Sequence, residues 1–206
     1  MNSIHQEITD QINALKPGTI IFPTDFRGIG TDDAVRQALS RLTKEGKLER
    51  LAHGIYLLPK IHPTFGKLQP SMEEVAEAVA ANEHMRIKPA GAYALNKLGL
   101  STQVPARLVY ITDGQARQIK IGKGGVKFKP VSPKKFGMKG PISSLLIQGL
   151  EEMATSQVSL EMEGRIKELL HQETPDNLNN DLKLAPARIN NFIIKLLKYP
   201  SDDRMA

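Results

Sequence analysis

Residues 31–59 read TDDAVRQALSRLTKEGKLERLAHGIYLLP, and this run leaves few folds open: a short amphipathic helix passes within a few residues into a tight two-stranded hairpin. Thr31 is an N-cap residue, Asp32 and Asp33 occupy the first turn where the macrodipole favours negative charge, and Gly46 stands just past the last turn. Val35, Ala38, Leu39 and Leu42 recur at helical spacing and form one apolar stripe. At about 100° per residue, the opposite side carries Gln37, Ser40, Arg41 and Lys44, with Arg36 on its shoulder. These side chains are long or polar and of types that can donate to phosphates or base edges. Asp33 on the same side counts against a DNA-facing role, unless it accepts from a cytosine amino group or points back into its own helix terminus.

The hairpin is expected from residues 48–51 and 55–58, two β-prone runs separated by Ala52, His53 and Gly54 as a three-residue loop. His53, at the tip of this hairpin, reads as a solvated turn residue or as one within reach of a minor groove or a phosphate. Upstream, residues 3–15 carry a helical stripe of Ile4, Ile8, Ile12 and Leu15 behind a capping box of Ser3 and Gln6. Residues 19–22 read as a strand, with a short helix from about Pro23. Helix, strand, helix, turn, helix, hairpin is the order of a winged helix-turn-helix, a fold that binds duplex DNA and also serves as a protein-docking module.

Downstream the pattern predicts an α+β protein, with the winged helix-turn-helix over residues 1–60, a proline- and glycine-rich linker over 61–70, and a mixed α/β C-terminal domain over 71–206. Ser71 and Glu74 form a second capping box, opening a helix to about Asn82 with Val75, Ala78 and Val79 inward. A further helix spans about 91–98, ahead of Gly99. Strands follow at 107–112, 117–121 and 126–131, with Asp113-Gly114 turning the first into the second and GKGG at 122–125 turning the second into the third. Alternation directs Ile119, Ile121, Val126 and Phe128 to a core and Lys120, Lys127 and Lys129 outward. Beyond residue 141 the apolar spacing is helical to the end, with stripes of Leu145, Leu146 and Leu150, then Leu160, Ile166, Leu169 and Leu170, then Ile189, Phe192, Ile193, Leu196 and Leu197.

The net charge of +6 is unevenly spread: residues 61–140 hold thirteen Lys or Arg against five Asp or Glu, and residues 117–139 hold eight cations and no acid. Such a surface attracts a polyanion, and Lys120, Lys123, Lys127 and Lys129 are expected to hold phosphates as a secondary site. RNA is a poorer fit, because no aromatics interleave with these lysines to stack unpaired bases.

Several classes drop out. There is no cysteine, so neither disulfides nor thiolate metal sites are expected. No apolar run reaches the roughly 20 residues of a membrane span, and no secretory signal pattern opens the chain, which makes the cytoplasm the expected address. His5, His53, His62, His84 and His171 stand apart in sequence, so no catalytic role, metal or cofactor is expected. GKGG lacks the spacing and the following helix of a phosphate-binding loop. The acids Glu151, Glu152, Glu161 and Glu163 read as solvated helix faces.

The pattern AL-x-RL-x-KEG-x-L-x-RL-x-x-G-x-Y over 38–56, together with KPAGAYALNKLGLSTQVPARLVYITDG over 88–114, resembles the AbiEi-like antitoxin family of type IV toxin-antitoxin systems. The resemblance extends to about residue 140. It implies a bacterial autorepressor that binds operator DNA through its N-terminal domain, and whose C-terminal domain antagonises a cognate nucleotidyltransferase-like toxin, directly or through the toxin's target. Carried onto this chain, Arg36, Gln37, Ser40, Arg41 and Lys44 are the recognition-helix candidates, and Arg50 and His53 the wing candidates. The alternative is a protein-interaction adaptor whose winged helix does not touch DNA.

Overall fold

Ser3 accepts from the Gln6 amide and opens α1 (Ile4–Asn13). The reciprocal half of the expected box, Gln6 Oε1 accepting from the Ser3 amide, does not form; the Gln6 side chain is turned along the helix, its Nε2 donating to Asp10 at 2.9 Å, one turn on. The computed structural model describes residues 3–198. They form a mixed α+β protein that divides into two units: residues 3–84 with Ile119–Gly125, and Met85–Gln118 with residues 126–198.

In the first unit, β1 (Ile20–Ile21) leads through a short 3-10 helix (Pro23–Phe26) to α2 (Asp32–Lys44). Thr31 caps α2 by accepting from Ala34, and the helix ends in two tightening bonds, Gly46 N–H to Thr43 O and Lys47 N–H to Leu42 O. Then come β2 (Glu49–Ala52) and β3 (Ile55–Leu57), and the sheet order is β1-β3-β2 with both pairings antiparallel. Ile8 and Ile12 of α1, Phe26, the α2 stripe, Leu48 and Tyr56 close over one another as the core.

Residues 61–70, expected as a linker, carry a hairpin of β4 (Lys60–His62) and β5 (Gly66–Leu68). The helix that follows, α3 (Met72–Asn82), is opened by the reciprocal Ser71–Glu74 box and belongs to the first unit rather than the second. Its end is tied to the 3-10 helix by Asn82 Nδ2, which donates to Thr24 Oγ1 at 2.7 Å. The buried residues of α3 are Val75, Ala76, Val79 and Ala80, so Ala76 takes the inward place expected of Ala78.

After α3, β6 (Ile87–Pro89) and α4 (Gly91–Lys97) precede β7 (Arg107–Thr112), and β8 (Arg117–Ile121) precedes β9 (Gly124–Pro130); of these, Ile119–Gly125, the end of β8 and the start of β9, count with the first unit and the rest with the second. The sheet order is β6-β7-β9-β8. Asp113-Gly114 is therefore not a hairpin turn. The Asp113 carboxylate is committed to Arg86, accepting from its amide at 2.7 Å and its Nε at 2.6 Å. Ile119, Val126 and Phe128 are buried as alternation requires, whereas Ile121 is half-buried. The GKGG turn narrows to Gly122-Lys123, and Gly125 answers a close approach: a Cβ there would lie 2.4 Å from the Ile119 carbonyl oxygen.

The chain then becomes helical: α5 (Pro133–Phe136), α6 (Ser143–Leu150), α7 (Leu160–His171), α8 (Pro175–Leu184) and α9 (Ala187–Lys198). Leu146, Ile147, Leu150, Ile166, Ile189 and Ile193 are fully buried at its centre. Leu160, expected in the apolar stripe of α7, is 67% exposed. It sits at the first residue of its helix, before the buried face begins.

Candidate nucleic-acid interface

The azimuth of α2 is set by its stripe, since Val35, Ala38, Leu39 and Leu42 are each no more than 3% exposed. Arg36, Gln37, Ser40, Arg41 and Lys44 consequently all face solvent. Arg36 Nη1 lies 3.5 Å from Asp33 Oδ1, so the one acid on this face is partnered within it. Among the described residues Arg41 and Lys44 make no ion pair. Gln37 and Arg41 also border a cleft of about 340 Å³ shared with Ser3, Ile4 and His5 of the α1 end.

The hairpin differs from expectation in one detail. Ala52 pairs with Ile55, which leaves a two-residue turn of His53 and Gly54, and the extra residue is absorbed as an irregularity between Arg50 and Ala52. Gly54 takes φ +70°, a conformation that suits glycine. The irregularity brings Arg50 to the turn. Its Nη2 lies 3.1 Å from His53 Nδ1 and its Nε donates to Ala52 O at 3.4 Å. Both side chains are exposed.

The lysine set of the second hairpin divides between the units. Lys120 and Lys123 belong with the first and are exposed. Lys127 and Lys129 belong with the second and project outward from β9. Lys129 is not free for a phosphate as expected, because its Nζ lies 3.1 Å from Glu152 Oε1. Lys135 pairs with Glu151 in the same way. Glu151 and Glu152 are thus ion-paired and not simply solvated, a correction that follows from contacts made across 16 and 23 positions.

Two buried carboxylates escaped the sequence pattern. Asp181 accepts from the amides of Lys139 and Gly140 and from Ser143 Oγ at 2.6 Å, while Glu173 accepts from the amides of Ile142, Ser143 and Thr174 and from Asn177. Burial pushes the Glu173 carboxyl up, but the Ser143 and Ile142 amides, Asn177 and the Thr174 amide together outweigh it and hold it below the ordinary carboxylate value. Both oxygens of each carboxylate are engaged. Their chemistry is that of a clamp on residues 139–143, not of an acid-base pair. Local sequence does not mark the clamp, since the residues it holds at 139–143 lie 30 to 42 positions upstream of the two carboxylates.

Among the described residues no group of three His, Asp or Glu gathers as a metal site, and no helix is long and apolar enough to cross a membrane. Residues 7–178 match a family of unknown function, DUF6088. No curated protein matches the chain.

Proposed function

The chain belongs to the DUF6088 family, and we propose that it is a duplex-DNA-binding repressor whose N-terminal unit works as a winged helix. In this reading α2 enters the major groove, Arg36, Gln37, Ser40, Arg41 and Lys44 meet base edges and phosphates, and the β2–β3 turn brings Arg50 and His53 to the flanking backbone. One observation carries it. The helix that buries its entire apolar stripe presents five outward hydrogen-bonding side chains and passes directly into a hairpin with a basic turn. A second unit with its own core takes the role of toxin antagonist, and that assignment rests on the AbiEi-like resemblance alone. A repressor of this kind acts in the cytoplasm.

The test is a gel shift of the full-length protein on the DNA upstream of its own gene, with non-specific competitor present. Retarded DNA that survives competition, and that is lost with Arg41→Ala/Lys44→Ala, supports the reading. Absence of a shift from a folded protein favours the adaptor. The antagonist role is tested separately, by co-expression with the toxin of the adjacent gene and scoring growth.

A further inference from the structure

The β4–β5 hairpin is a ribbon whose two strands pair only with each other among the described residues. A lone two-stranded hairpin is marginal in water, and this one also exposes its largest apolar side chains: Ile61 is 72% and Phe65 75% exposed. The tip is nonetheless built. His62 Nδ1 accepts from the amides of Thr64 at 3.1 Å and Phe65 at 3.4 Å, and the His62 ring lies against the Phe65 ring with centroids 4.9 Å apart. Gly66 closes the turn at φ +70°. At the root, Gln69 Nε2 donates to Glu49 Oε1 at 2.8 Å, which fastens the end of the ribbon to the start of β2. The structure therefore holds an aromatic ring out into solvent on a fixed turn.

Charge decides what such a tip fits. Residues 50–72 contain Arg50, Lys60 and Lys67 and no Asp or Glu. Lys60 and Lys67 are exposed, Lys67 directly across from Ile61. A second copy pairing along either edge would bring these lysines together with no acid in the ribbon to offset them. A polyanion meets them favourably, and a duplex offers what the tip also needs: an apolar stack that a wedge can enter from the minor groove, opening a base step and kinking the helix.

We propose that this ribbon is a minor-groove arm, with Phe65 the wedge that bends the DNA and Lys60 and Lys67 on the flanking phosphates. The proposal rests on the DNA-binding reading above and adds the deformation of the duplex to it.

The experiment uses the full-length protein and a duplex of about 30 base pairs drawn from its own upstream region, end-labelled for energy transfer and carrying 2-aminopurine at successive steps. The wild type is expected to shorten the end-to-end distance and to brighten 2-aminopurine at one step. Phe65→Ala should abolish both and weaken binding about tenfold or more, with the melting temperature unchanged because the ring is exposed. Phe65→Trp should retain the bend. Lys60→Gln/Lys67→Gln should lower the slope of log K against log salt by up to about 0.9 for each phosphate no longer neutralised. A duplex bound without a bend, or bent equally by Phe65→Ala, overturns the arm and leaves the DNA-binding reading standing. No duplex binding by the wild type overturns both. Phosphatidylserine vesicles captured by the wild type and not by Phe65→Ala, with the DNA bend unaffected, overturn the arm in favour of a lipid surface. A dimer that Phe65→Ala converts to monomer, again with the bend unaffected, overturns it in favour of a second copy.

Discussion

Arg50 and His53 meet across the first hairpin turn, guanidinium to imidazole Nδ1 at 3.1 Å. A guanidinium only donates, so Nδ1 accepts and the ring proton sits on Nε2. The arginine thereby fixes which edge of His53 is presented as a donor. Histidine nitrogen shifts in the free protein should report the Nε2–H tautomer. Arg50→Ala should abolish that preference, and the double variant with His53→Ala should weaken duplex binding by less than the two singles added.

The recognition face and the core of α2 are separable. Arg41→Ala/Lys44→Ala should reduce affinity for the upstream DNA with the melting temperature nearly unchanged, as both side chains are exposed. Leu39→Ala, at a fully buried position, should instead cost roughly 2–5 kcal/mol of stability through the cavity it leaves. Denaturant melts and gel shifts on the two variants distinguish these effects.

Phosphate binding outside α2 should follow which lysines are unpaired. Lys120→Gln and Lys127→Gln should each reduce the salt slope by up to about 0.9 if each gives up one phosphate. Lys129→Gln should reduce it less, because Glu152 already holds that ammonium. Equal effects at all three positions would mean that the Lys129 pair opens on DNA.

The carboxylate clamp makes a prediction about acid. Glu173 has a folded pKa below its unfolded one, so the stability it confers is complete above the ordinary carboxylate range and is lost as pH falls through the folded value. Glu173→Gln should flatten the acid limb of the stability curve. Glu173→Ala should cost about 1–3 kcal/mol for each amide left buried without a partner, seen as faster hydrogen exchange at Ile142 and Ser143.

Local signals were legible wherever they were complete in a few residues. The Thr31 cap, the α2 stripe and the reciprocal Ser71–Glu74 box form as the sequence predicts, because each needs only neighbours three or four positions away. The Ser3–Gln6 box forms only in its first half, and the Gln6 side chain is turned along the helix to Asp10, at an equally short helical distance. The ribbon at 60–68 looked like a linker because Pro63 and Gly66 punctuate it, although its freedom from acids was already visible. The place of β9 between β7 and β8 was not legible at all. Strand order depends on which edges meet, and the Asp113-Gly114 turn signal was overridden by the distant Arg86. Among the candidate site residues, exposure on α2 could be read from periodicity, but the Arg50–His53 contact depends on a strand irregularity that no period reveals.

The clamp on residues 139–143 has a consequence for how the chain is made. Its two carboxylates are synthesised 30 to 42 residues after the amides they receive. While the ribosome is still adding α7 and α8, the loop has left the exit tunnel or is leaving it with those amides bonded only to water. The lysine-rich stretch just before it is then open to proteases and to any passing polyanion. A chain stopped short of Asp181 never acquires the acceptor of the Lys139 and Gly140 amides, and limited proteolysis of such a truncation should cut faster around residues 134–140 than in the full-length protein.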